Sequence, residues 1–67
     1  MYRLFLRCLE LKQPIEVIYM SKSGQITQRI LRVEQVTPSY VKAYCLLRHE
    51  QRTFNLANIL SAIPVSQ

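Results

Sequence analysis

Apolar side chains crowd the first eleven residues almost without alternation, and from residue 15 onward they alternate with polar ones. That change of period separates one helix from a series of strands. Leu and Arg favour helix over Tyr2–Lys12, and no Gly or Pro interrupts. Arg3, Arg7 and Glu10 fall at i, i+4 and i+7 and make a single polar stripe. Tyr2, Leu4, Phe5, Leu6, Cys8, Leu9 and Leu11 cover the rest of the circumference. So wide an apolar face exceeds what packing on one sheet requires. Either the helix plugs the end of a barrel or part of it meets another subunit. Pro14 restricts Gln13 and ends the helix.

Ile15–Met20 alternates as a strand, with Ile15, Val17 and Tyr19 on one face. Ser21-Lys22-Ser23-Gly24 follows as a turn, its glycine suited to positive φ. Ile26–Val36 predicts a long strand and Thr37-Pro38-Ser39 a turn. Tyr40–Leu47 and Gln51–Leu56 predict a hairpin turning at His49-Glu50. Ala57–Leu60 reads as one helical turn and Ser61–Val65 as a last short strand, where Pro64 needs an edge or terminal place. One helix (about 2–12) followed by about five short strands (about 15–65) predicts a mainly β, small antiparallel barrel, a single domain over residues 1–67 with no edge left open.

Strand parity then locates candidate chemistry. Val41, Ala43, Cys45 and Leu47 are apolar and face the core; Tyr40, Lys42, Tyr44 and Leu46 face outward. A two-residue turn at His49-Glu50 sets Cys45 opposite Phe54, Ala43 opposite Leu56 and Leu47 opposite Arg52. A three-residue turn at Thr37-Pro38-Ser39 sets Val33 opposite Ala43, Leu31 opposite Cys45 and Arg29 opposite Leu47. Both registers match apolar to apolar, as a half-buried sheet demands. They also bring Arg29 and Arg52 to the two sides of Leu47, with Tyr19 about one pair from Arg29. The expected site is therefore a rim of Tyr19, Arg29 and Arg52, with Lys22 and Arg48 adding charge from the adjoining turns. Two close guanidiniums need a carboxylate or an anionic ligand, and their forks suit phosphate oxygens. The competing reading is that they reach to water or pair with Glu16 or Glu50.

The outward face offers a second pattern. Arg32, Tyr40, Lys42 and Tyr44 mix cation and aromatic as single-stranded nucleic-acid sites do. The competing reading is an ordinary sheet surface or dimer contact, with Glu34 paired to Lys42 across strands.

Charge strengthens the first reading. Nine Lys and Arg against four Glu give a net charge of +5, which favours anionic partners. A chain of 67 residues buries only about 60% of its unfolded surface, so its core is marginal. Cys8 and Cys45 read as small buried hydrophobes, and with one His they lack metal-ligand spacing, so no metal or cofactor is expected. Unpaired cysteines fit a reducing, cytoplasmic setting. Arg7 and Glu10 break the first apolar run, which argues against a signal peptide, and no stretch reaches the ~20 apolar residues of a membrane span. An enzyme is not expected: Asp is absent, the one His lies in a polar turn, and no nucleophile–base pair is recognisable.

Tyr40–Ile59 resembles the signature of the WYL domain. Tyr40-Val41 stands where the family has Tyr-Leu, and Arg52-Thr53-Phe54-Asn55-Leu56-Ala57-Asn58-Ile59 matches its arginine, aromatic and leucine-isoleucine tail. Upstream, Val17-Ile18-Tyr19, Gly24 and Arg29 match its first strand, turn and second strand. Ser39 replaces the Trp, Val33 stands where proline is usual, and Asn55 and Asn58 stand where the tail has its two cations. The resemblance covers roughly residues 4 to 65 and implies an Sm-like, SH3-type barrel. It also implies a sensing role in bacterial transcription control, with a nucleotide or single-stranded nucleic acid as effector at Tyr19, Arg29 and Arg52. No DNA-reading helix pair accompanies it, so the expectation is a free-standing module. Two functions follow. A ligand-binding regulatory module predicts salt-sensitive binding that Arg52→Ala largely removes. An interaction module predicts a homodimer, or docking onto a regulator, through Leu4, Phe5 or Leu9.

Overall fold

The computed structural model describes residues 1–66. Helix α1 (Tyr2–Leu11) leads into strands β1 (Ile15–Met20), β2 (Ile26–Val36), β3 (Tyr40–Cys45) and β4 (Glu50–Asn55). A 3₁₀ turn (Leu56–Asn58) then hands the chain to β5 (Ile59–Pro64). The strands form one antiparallel sheet in the order β4-β3-β2-β1-β5.

The connection forces that sheet to curl. β4 and β5 lie at opposite edges, yet only three residues join them. Flat, five strands would set those edges ~19 Å apart, whereas four residue steps reach at most ~14 Å. Curling creates a concave face, filled by Ile15, Val17, Leu31, Val33, Val41, Ala43, Cys45, Phe54 and Ile59. Phe5 and Cys8 of α1 complete this core, with Leu4 and Leu9 partly buried against it. The molecule is thus a mainly β, barrel-like fold carrying one N-terminal helix. No ladder joins β4 to β5 among the described residues, so the expected closure of every edge is corrected: side chains, not hydrogen bonds, close the barrel.

The helix uses a narrower stripe than its composition allows. Phe5 is fully buried within its own core and is not a surface contact, while Tyr2 and Leu11 stay exposed. Lys12 ends α1 in the left-handed region, φ 54°. Its N–H and that of Gln13 donate to Leu9 and Cys8 carbonyls. Glycine is the residue that adopts this conformation at least cost, so Lys12→Gly is expected to raise stability by about 0.5–1 kcal/mol, read as a higher urea midpoint.

The β3–β4 hairpin departs from expectation. β3 stops at Cys45, and Leu46–His49 form a four-residue turn. The His49 N–H closes it on the Cys45 carbonyl at 2.8 Å, with φ 56° at His49. Val41 therefore faces Phe54, Ala43 faces Arg52 and Cys45 faces Glu50, rather than the pairs expected from a turn at His49-Glu50. The slip equals four residues and so keeps parity: the paired side chains of β3 and β4 remain on their expected faces, while Leu47 leaves the strand. Leu46 and Leu47 prolong the apolar alternation of β3, which hides the turn in the sequence. Leu47 is left 70% exposed.

Elsewhere Val33–Ala43 and Leu31–Cys45 pair as expected. A bulge then places Gln35, not Glu34, opposite Lys42. Asn55 caps the 3₁₀ turn, its side-chain oxygen accepting from the Ala57 N–H at 3.2 Å, which moves that turn ahead of the expected Ala57–Leu60. β5 accordingly starts at Ile59, earlier than expected, with Pro64 at its end.

Cys8 is 2% exposed, and burial pushes its thiol above the usual range despite Arg7 nearby. The unfolded thiol ionises first, so this contribution to stability holds below an ordinary thiol pKa and fades as pH rises through the folded value. Labelling of the native protein with a thiol reagent at pH 8 is expected to be far slower than in urea.

Candidate functional site

Phe54 builds the site. It sits on edge strand β4, paired with Val41 of β3, and its ring is 2% exposed. Yet the ring meets groups from strands that do not pair with β4. Tyr19 of β1 lies edge-on to it, with centroids 5.0 Å apart and planes at 82°. The Arg29 guanidinium of β2 lies 5.7 Å from the ring centroid. Only a curled sheet brings these three together, so the cluster also seals the barrel. Edge-to-face pairing sets positive ring edge against negative ring face, and a cation on the same ring gains from the same charge distribution.

The register of β1 and β2 fixes the other two. Val17 pairs with Arg29 and Tyr19 with Thr27, so Tyr19 and Arg29 share one face, one step apart, as expected. Thr27 follows on that face, and its hydroxyl oxygen accepts from Arg29 Nε at 3.3 Å. Arg29 Nη1 is buried and has no hydrogen-bond partner. No salt bridge to Arg29 exists among the described residues: the one observed joins Arg52 to Glu50. A half-buried cation thus holds a buried, unused donor with no internal counter-ion, in a place where an unpaired charged donor is costly.

The remaining expected residues divide. Lys22 lies exposed in the β1–β2 turn and Arg48 exposed in the β3–β4 turn, both at the end of the sheet where β2 begins. Arg52 sits further in, in the row Val33–Ala43–Arg52, and not beside Leu47. Its Nη1 lies 3.1 Å from Glu50 Oε1, both side chains about half exposed. Such an exposed pair is worth about 0–1 kcal/mol and leaves Arg52 outside the Tyr19–Phe54–Arg29 cluster. Sequence reasoning missed Phe54 as the surface that joins Tyr19 to Arg29, and Thr27 as the group that orients Arg29. Thr27 had a signal: it lies two residues before Arg29, hence on the same strand face.

On the outer face, Arg32 pairs with Tyr44, and its guanidinium lies 5.4 Å from the Tyr44 ring centroid. Tyr40 and Lys42 continue that face along β3.

The fold has a solved counterpart. It is similar to part of proteasome accessory factor B/C (PafBC) of Arthrobacter aurescens, with a TM-score of 0.81 and 18% identity. The likeness covers 98% of this chain and 11% of that one. At that identity the likeness is one of fold. No family model and no curated protein matches the sequence. No cluster of metal-ligating side chains and no helix long and apolar enough to cross a membrane occurs among the described residues.

Proposed function

We propose that this chain is a non-enzymatic, WYL-like regulatory module whose mouth at Tyr19, Arg29 and Phe54 binds the phosphate of a nucleotide or single-stranded nucleic acid. One observation carries the reading: Arg29 holds a buried, unpartnered N–H on a cation that has no carboxylate beside it. A phosphate oxygen supplies both the missing acceptor and the missing charge, and a guanidinium receives it through parallel hydrogen bonds. The Phe54 ring and Thr27 hold the guanidinium in one orientation, which lowers the ordering cost of binding. Lys22 and Arg48 extend the positive field from the two turns, and the net charge of +5 draws anions toward it. The motif pieces around Tyr19, Arg29 and Arg52 and the fold shared with part of PafBC support the WYL-like assignment. In PafBC the corresponding barrel is one part of a longer chain, which fits a module that senses for a larger regulator.

Titration with nucleotides and short single strands across a salt series tests the reading. Binding is expected at low salt and weakens steeply as salt rises. Absence of binding, or an affinity indifferent to salt, removes the proposal.

A further inference from the structure

The outer face of β2 and β3 carries chemistry that the mouth does not use. Arg32 and Tyr44 form a cross-strand pair, and Lys42 lies opposite Gln35 on one side and Thr53 on the other. Tyr44 is also paired with Gln51, and Tyr40 with Asn55. Two aromatics, two cations, three side-chain amides and a hydroxyl therefore share one surface. Tyr40 and Tyr44 are half-buried, while Arg32 and Lys42 are exposed. Glu34 is the carboxylate on this part of β2; it lies at the bulge and accepts a hydrogen bond from Gln51.

The backbone beneath is firmly held. The Thr37 hydroxyl oxygen accepts from the Ser39 and Tyr40 N–H groups at 3.2 and 3.0 Å. The Leu56 N–H donates to the Ser39 carbonyl at 3.0 Å, tying the start of β3 to the end of β4. Tyr40 is thereby presented in one place.

We propose that this outer face binds single-stranded nucleic acid. One base stacks on the Tyr44–Arg32 pair, Lys42 meets backbone phosphate, and a second base stacks on Tyr40. The amides of Gln35, Gln51 and Asn55 lie where base edges pass. The choice of occupant follows from the surface. A protein partner favours an apolar centre with a polar rim, whereas here cations, amides and the Glu34 carboxylate that Gln51 holds across β3 lie among the aromatics. A duplex hides its base faces, so the tyrosines gain nothing from it. A single strand offers flat bases for the rings and phosphates for the cations. Tyr40 and Tyr44 lie four residues apart on one strand, ~13 Å. That exceeds the about 3.4 Å between stacked bases, so the bound strand is splayed open.

This surface is separate from the mouth, and the test keeps the two apart. Fluorescent ten-residue oligo(dT) and oligo(rU) are titrated against the wild-type chain, Lys42→Glu, Tyr44→Leu and Arg29→Ala, with a mononucleotide and a DNA duplex beside them. Lys42→Glu and Tyr44→Leu are each expected to weaken single-strand binding roughly ten-fold, in the wild type and in the Arg29→Ala background alike. Neither Lys42→Glu nor Tyr44→Leu changes mononucleotide binding, which Arg29→Ala alone weakens. Ultraviolet crosslinking of bromouridine-substituted oligomer to the wild-type chain should modify Tyr44 or Tyr40, which tests the surface without any substitution. Single strands held equally well by both variants, a duplex bound as tightly as a single strand, or crosslinks confined to other residues would overturn the proposal.

Discussion

Phe54→Ala is expected to cost the protein half or more of its folding free energy. A domain of 67 residues has a folding free energy of about 3–10 kcal/mol. Truncating a buried phenylalanine costs about 3–5 kcal/mol in lost burial and cavity. At Phe54 the cost belongs at the upper end, because the ring also carries the edge-to-face contact with Tyr19 and the cation contact with Arg29. The ring is 2% exposed and touches Tyr19 and Arg29 across the barrel. β4 pairs with β3 alone, so removing the ring also removes what holds this edge strand to the far side. Phe54→Leu keeps most of the apolar volume and loses the aromatic contacts, so its cost should be less than half as large. Urea unfolding followed by circular dichroism measures both. At ~4–8 °C per kcal/mol for a domain of this size, a loss near 5 kcal/mol lowers the melting temperature by about 20–40 °C. A variant melting within a few degrees of wild type would mean that the Tyr19–Phe54–Arg29 cluster does not close the barrel.

The elements were legible because their periods are clean. Ile15, Val17 and Tyr19 alternate strictly, and all three face the core or its rim. The β1–β2 pairing followed from one glycine turn, whose Gly24 has φ 86°, and it put Tyr19 one step from Arg29. Half of the site was therefore readable from parity and turn length alone. The β3–β4 register was not, because Leu46 and Leu47 continue the alternation past the true end of the strand. What stops β3 is His49 in the left-handed region, a conformation with no compositional mark comparable to a glycine. The bulge at Glu34 is hidden for a similar reason: it inserts one residue into an otherwise regular polar–apolar sequence. The largest omission was the role of Phe54. Parity says that it faces inward, but not that a curled sheet lets a β4 ring reach β1 and β2. That contact is a property of closure, and closure depends on the three-residue link between β4 and β5 more than on any strand taken alone.

The same geometry decides which arginine matters for binding. Arg29→Ala is expected to weaken nucleotide affinity about 10- to 150-fold, the range for losing a charge-assisted hydrogen bond of about 1.5–3 kcal/mol. The fold should survive, because the lost group includes a buried donor that forms no bond in the free protein. Removing an unsatisfied charged donor offsets the loss of its contact with Phe54, so the urea midpoint changes little. Arg29→Lys keeps the charge but not the planar fork or the stacking, and should recover only part of the affinity. Arg52→Ala is the informative comparison. From the sequence alone this substitution would remove most of the affinity. In the structure Arg52 is half exposed and already answered by Glu50 at 3.1 Å, so a ligand must compete for it. Its loss should cost no more than a few-fold, and Glu50→Gln, by releasing Arg52, should strengthen binding slightly. Isothermal titration at low and moderate salt separates these outcomes. An Arg52→Ala defect larger than that of Arg29→Ala would place the anion at the Val33–Ala43–Arg52 row and away from the Phe54 ring.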